Sequence, residues 1–289
     1  MIWSNIIQKI IFLFLTGPGI VGNILVFVRH VYAFVTGPER KPIDLILIHL
    51  TVSNAILICS TGIRDIATIF NFRNFIGNTG CKLLIYLGRV ARGLSICTTC
   101  LLSMVQAITI SPRTTFFRKF KPKTAWQVLP YLLFFWIFNS LVSFNLLHHI
   151  KAASSTNRSG IRRHAVYCYV VPSRQGVRWL FLSLMALRDV IFQSLMGWSS
   201  GHMAFHLYKH HKRVLYLHSS RLTHNSSPEI RATLSTLSLM TFFLVFYWAD
   251  FILSFYIGST ITNDLKILNI GIVLVLGYAS LSPLVLIVR

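Results

Sequence analysis

Seven long apolar runs, separated by shorter polar segments, set the plan of the chain. They are approximately Ile6–Val28, Ile43–Ile63, Lys82–Ile108, Ala125–Ile150, Arg178–Tyr208, Ile230–Ile257 and Leu265–Val288. An α-helix rising about 1.5 Å per residue needs about 20 mainly apolar residues to cross a hydrocarbon core of about 30 Å, and each run is long enough. Buried helices of a soluble protein would carry a polar face at helical period, yet Tyr131–Leu147 and Leu239–Ile257 show almost none. No basic segment precedes the first run and no small-x-small cleavage site follows it, so it reads as a retained span rather than a signal peptide. The pattern predicts an all-α membrane protein: one domain, residues 1–289, forming a seven-transmembrane-helix bundle. Its inner loops fall at 29–42, 109–124 and 209–229, and a long outer loop at 151–177.

Composition agrees. The 289 residues are 54% hydrophobic and 12% charged, against about 25% charged in soluble domains. Disorder is excluded by the same hydrophobicity. The net charge of +21 would suit a nucleic-acid-binding surface, but the basic residues lie between apolar runs rather than on a polar scaffold, so no nucleic-acid partner is expected.

Three features orient the bundle. With the N-terminus outside and the C-terminus inside, the inner loops hold Arg29, Arg40, Lys41, Arg113, Arg118, Lys119, Lys121, Lys123, Lys209, Lys212, Arg213, Arg221 and Arg231. The outer segments hold fewer, and most of those sit in the single loop between spans four and five, a modest bias in the direction that favours cytoplasmic Lys and Arg. Cys81 and Cys168 fall on one membrane side and can pair if that side is oxidising, while Cys59, Cys97 and Cys100 lie within spans. The sequon Asn157-Arg158-Ser159 stands on the same side as Cys81 and is open to glycosylation only there. Cys97-Thr98-Thr99-Cys100 sits mid-span without a second pair, which favours packing over metal or redox chemistry.

Charges inside spans are costly, about 2.5–3.5 kcal/mol each on insertion scales, and mark cavities or partners. Arg89 and Arg92 share a face of the third helix, about 12–17 Å from Cys81. Arg188 and Asp189 come about 15 Å along the fifth helix from Arg178, and Asp250 about 10 Å from the outer end of the sixth. Three helices thus place charge at one depth. The set predicts a ligand cavity in the outer half, with Arg89 and Arg92 as donors, Asp189 and Asp250 as acceptors, Arg188 as a further member, and Phe243, Phe246, Tyr247 and Trp248 as apolar lining. Cross-helix ion pairing without a ligand role is the alternative. Gly17-Pro18-Gly19 and Pro283 predict local bends.

At the inner face, Arg113 to Lys123 alternates basic and aromatic residues and suits anionic lipid headgroups or a cytoplasmic partner. Ser227-Pro228-Glu229 has the form of a helix start. The sequence lacks a Gly-rich phosphate loop, His-Glu-x-x-His and Gly-x-Ser-x-Gly, so no enzyme and no cofactor is expected. A transporter would show two related halves, which seven unequal spans do not suggest.

Several stretches carry a resemblance. His49-Leu50-Thr51-Val52-Ser53-Asn54, Arg92 to Ser103 with Gln106-Ala107-Ile108-Thr109, Ser111-Pro112-Arg113 with Lys119-Phe120-Lys121, Ser226 to Thr233, and Ser280-Leu281-Ser282-Pro283 together resemble the vomeronasal type 1 receptors, within the rhodopsin-like seven-helix group. Bitter taste receptors are the nearest confusable family. The resemblance implies a plasma-membrane pheromone receptor for a small semiochemical, coupled to an inhibitory-class heterotrimeric G protein. It also implies a Cys81–Cys168 bridge, a sugar at Asn157, and a G-protein contact drawn from Gln106, Arg113, Lys119, Lys121 and Arg231. Departures from the broader group fit the narrower family: Asn54 stands at the second-helix acidic position, Val105-Gln106-Ala107 replaces Asp-Arg-Tyr, and Ser282-Pro283 with Leu286 replaces Asn-Pro-x-x-Tyr. The chain ends at Arg289, where family members continue into a cytoplasmic tail, leaving open a dispensable tail or a truncated, non-signalling product.

Overall fold

The computed structural model describes residues 2–37, 40–69, 77–110, 121–144, 147, 150–152, 168–170, 175–217, 228–260 and 265–287. Among them are seven α-helices: α1 (Ile2–Thr36), α2 (Pro42–Ile69), α3 (Asn78–Ile110), α4 (Leu129–Ser143), α5 (Gln175–Leu217), α6 (Pro228–Thr260) and α7 (Leu265–Ile287). Five contain stretches long and apolar enough to cross a membrane, α4 does so together with the 3-10 turn Ala125–Gln127 before it, and α7 contributes the shorter apolar stretch Ile270–Pro283. Helices α1, α2, α3, α5, α6 and α7 pack in a closed ring, each on its neighbours, and α4 lies against α3 and α5.

The distribution of polarity is inverted relative to a soluble protein. Large apolar side chains face outward on α1 (Leu13, Phe14, Val21, Ile24, Leu25) and on α4 (Leu133, Phe134, Ile137, Leu141), whereas Asn23, Asn54, Ser95, Thr98, Thr99, Asn139 and Ser282 are buried. Lipid accepts the former, and the latter must satisfy one another across helices. Asn23 Nδ2 donates to the carbonyls of Gly19 (2.8 Å) and Ala279 (3.0 Å), joining α1 to α7. Asn54 Nδ2 donates to Ser282 Oγ at 3.0 Å, joining α2 to α7. His49 Nδ1 and Thr98 Oγ1 lie 2.9 Å apart between α2 and α3, and the same imidazole meets Trp136 of α4 edge-on at 6.1 Å.

Several expectations change. Pro18 and Pro283 lie inside α1 and α7, and the nearby glycines also serve contact between these helices: a side chain at Gly19 would collide with Ser280, and one at Gly22 would come to 3.0 Å from Pro283. Helix α4 ends at Ser143, not Ile150. Ile150–Ala152 is instead strand β1, antiparallel to β2 (Cys168–Val170) with Ile150 opposite Val170, and β1 packs against α3. Leu146, Leu147 and Ile150 prolong the apolar run, but hydrophobicity alone does not separate a helix end from a short strand. Helix α5 runs to Leu217, past the expected end at Tyr208 and through the polar stretch Lys209–Arg213, because Lys and Arg are good helix formers outside lipid as well. Helix α6 begins at Pro228, where the Ser-Pro-Glu pattern places it. Cys81 is disulfide-bonded, while Cys59, Cys97 and Cys100 are free.

Candidate ligand site and its relatives

The intramembrane charges converge. Arg92 of α3 donates from Nη1 to Asp189 Oδ2 of α5 at 2.8 Å and from Nε to Asp250 Oδ2 of α6. Arg188 donates from Nε to Asp189 Oδ1 at 2.8 Å and from Nη1 to Asn139 Oδ1 of α4 at 2.9 Å. All four ions are at most 6% exposed. One carboxylate, Asp189, therefore serves two guanidiniums, and one guanidinium, Arg92, binds two helices to its own. Asn139 closes the set through Nδ2, which donates to the carbonyl of Phe135 at 2.8 Å.

The sequence places these ions at one depth but does not give the pairing, and it passes over Asn139. That residue was detectable as an amide in an otherwise apolar span. Gly93 is the other residue missed. A Cβ at that position would fall on Asn139 Oδ1 and close to Arg188 Nη1, so the Arg188–Asn139 bond crosses α3 where the helix has no side chain.

Arg89 lies one turn nearer the start of α3 and is half-buried. Its Nη1 contacts Met185 Sδ at 3.3 Å, a weak acceptor, and it makes no ion pair among the described residues.

Beneath the ions is a layer of aromatic rings and hydroxyls. Tyr278 of α7 packs against Tyr247 (4.2 Å between centroids) and Phe243 (4.7 Å) of α6. Ser95 Oγ donates to Asn54 Oδ1 at 2.7 Å; having spent its proton, it accepts from Tyr247 at 3.1 Å and from Tyr278 at 2.8 Å. Of the four aromatic residues expected to line the site, Phe243 and Tyr247 are buried within the bundle. Phe246 packs against Gly277 of α7. Trp248 is a correction: it is 38% exposed and meets Phe251 edge-on, because position 248 is on the outward face of α6. Removing the hydroxyl alone, in Tyr278→Phe, is expected to cost about 1 kcal/mol. Tyr278→Ala also removes the ring contacts and should cost about 3–5 kcal/mol. Thermal denaturation of the purified protein in lipid nanodiscs checks both.

At the opposite end, Gln106 is buried and its Oε1 has no hydrogen-bond partner among the described residues. Lys121 is exposed, and Arg231 lies in the first turn of α6. Arg113 and Lys119 fall outside the described residues, as does Asn157; Cys168 is placed by its backbone in β2.

Comparison with known proteins decides the family. The model of the vomeronasal organ pheromone receptor family matches residues 6–289. The chain belongs to the vomeronasal type-1 receptor family. Rat vomeronasal type-1 receptor 90 is 35% identical over 93% of this chain and 86% of its own length. Rat vomeronasal type-1 receptor 100 is 33% identical over 93% of this chain and 82% of its own length. Human vomeronasal type-1 receptor 2 is 31% identical over 96% and 70% respectively. Vomeronasal receptors are signalling proteins rather than enzymes, and this member of their family is a multi-pass protein of the plasma membrane.

Proposed function

We propose that this vomeronasal-family chain acts as one receptor domain that takes up a small pheromone-like molecule between α3, α5 and α6, in the half of the bundle where α3 begins. In this reading that end faces outside with the N-terminus. Cys81 pairs with Cys168 to hold β2 over it, and Asn157 carries a sugar beside it. Arg89, Arg92, Arg188, Asp189, Tyr247 and Asp250 form the recognition set. The opposite end, with Gln106, Arg113, Lys119, Lys121 and Arg231, engages an inhibitory-class heterotrimeric G protein.

The observation that carries this reading is the double attachment of Arg92, which ties α3 to both α5 and α6 through one buried guanidinium. A ligand that binds one arrangement of these three helices better than another shifts their equilibrium by that difference in affinity. The ion cluster is thus both a structural tie and a point of leverage.

Cells expressing the chain, screened with a library of small semiochemicals, should yield an agonist that lowers cyclic AMP and loses its effect after pertussis toxin. A toxin-insensitive calcium response would overturn the G-protein assignment. Solute flux through reconstituted vesicles lacking any G protein would favour a transporter instead.

A further inference from the structure

We propose that the ligand is an organic anion whose acidic group docks on Arg89, which makes Arg89 rather than Arg92 the residue that sets ligand charge. The inference rests on the receptor reading above and names its ligand class.

The charge balance of the cluster points to Arg89. Three guanidiniums, Arg89, Arg92 and Arg188, face two carboxylates, Asp189 and Asp250, leaving one positive charge in excess. The carboxylates are taken by Arg92 and Arg188 through direct hydrogen bonds, so the excess resides on Arg89. It is repelled by Arg92 and Arg188 and attracted by both aspartates, which places it within the field of the whole set. Its contact with the Met185 thioether does nothing to neutralise it.

The chain itself has little with which to balance this charge. It has seven acidic residues in all. Asp44 is taken by His30 at 2.9 Å between α1 and α2, and Glu39, Glu229 and Asp264 lie outside the apolar spans. Asp65 follows Arg64 beyond the second apolar run, and its side chain is outside the described residues. Arg92 Nη2, buried one turn further in than Arg89, has no hydrogen-bond partner among the described residues and supplies a second donor in the same region. A carboxylate, sulfate or phosphate offers the planar or tetrahedral oxygens that guanidinium donors match in pairs. Arg92 has committed Nε and Nη1 to Asp250 and Asp189 and can offer an anion only Nη2. Arg89 pairs with no carboxylate among the described residues and is the more accessible of the two from the start of α3.

The full chain in nanodiscs of zwitterionic lipid allows a direct test with four probes on one apolar body: cyclohexanecarboxylate, cyclohexyl sulfate, cyclohexylmethanol and cyclohexylmethylammonium. The two anions should raise the melting temperature at concentrations at least about tenfold below the alcohol, as a charged hydrogen bond supplies, and the ammonium should not stabilise. Arg89→Gln should erase the difference between anions and alcohol, while Arg89→Lys retains it. Equal stabilisation by anions and alcohol, or an anion preference surviving in Arg89→Gln, overturns the inference and leaves the receptor reading standing. Stabilisation by none of the four overturns both. Replacing the lipid with an anionic one distinguishes a lipid headgroup at the site from a free ligand. A headgroup occupant would stabilise the native protein and not Arg89→Gln, and would abolish the response to the soluble anions.

Discussion

Asp189→Asn is expected to be the most damaging single change in the ion cluster, costing about 3–5 kcal/mol, the usual result of breaking a buried pair from one side. Asp189 accepts hydrogen bonds from both Arg92 and Arg188, so its neutralisation leaves two buried guanidiniums with Asp250 as their only carboxylate among the described residues. Asp250→Asn should cost less, because Arg92 then retains Asp189, and Ser254 loses only a long contact of 3.4 Å. Against a typical total stability of about 5–15 kcal/mol, the Asp189 effect should cut surface expression severalfold and lower the melting temperature of the purified protein. The combined apolar set Arg92→Met, Arg188→Met, Asp189→Leu and Asp250→Leu should restore much of that stability, since a well-packed apolar replacement removes the desolvation cost of all four ions. Wild-type stability in Asp189→Asn would show that the ions do not hold α3, α5 and α6 together.

Mutations in the site divide along the same lines. Depth alone assigns Arg89, Arg92, Arg188, Asp189 and Asp250 equally to a ligand. The pairing separates them: Arg188 and Asp189 are almost fully enclosed, Arg92 is held by two carboxylates, and Arg89 is held by none among the described residues. Truncation of Arg92 therefore mixes lost recognition with two stranded aspartates, whereas a change at Arg89 leaves the described ion pairs of the cluster in place.

What was legible in the sequence follows from what hydropathy and helix geometry encode. Long apolar runs mark membrane helices because backbone polar groups must be satisfied within the segment, so the seven helices could be read from the sequence alone. A constant rise per residue turns sequence distance into depth, and Arg92, Asp189 and Asp250 do meet. Rotation about the helix axis was harder to read. In an aromatic-rich span such as α6 both faces are apolar, so nothing in the sequence says that Trp248 points out while Tyr247, one residue earlier, points in. The end of α4 was illegible for a related reason: leucines and an isoleucine continue the apolar signal past Ser143, where the helix ends. Asn139 went unread because an amide in a span carries no formal charge, although its carbonyl oxygen holds Arg188.

Gly93→Val carries the second large expected effect, through packing rather than charge. The helix α3 passes α4 and α5 so closely here that even a single Cβ would overlap Asn139 Oδ1 and crowd Arg188 Nη1. Both neighbours are fixed, Asn139 by its bond to the Phe135 carbonyl and Arg188 by its contact with Asp189, so neither yields freely. Gly93→Ala gains about 1 kcal/mol of helix propensity, but incurs about 1–3 kcal/mol of overpacking and breaks a charge-assisted hydrogen bond worth about 1.5–3 kcal/mol. The net is destabilising, and the two additional methyl groups of valine should leave little folded receptor at the cell surface. The partner is identified by a double-mutant cycle. Asn139→Ala alone strands Arg188 Nη1 and is destabilising. In Gly93→Ala/Asn139→Ala the collision is relieved, so the combined loss should fall short of the sum of the single losses by about 1 kcal/mol or more. Melting temperatures of the four proteins give the coupling directly, and strict additivity would mean that Asn139 does not occupy the space over Gly93.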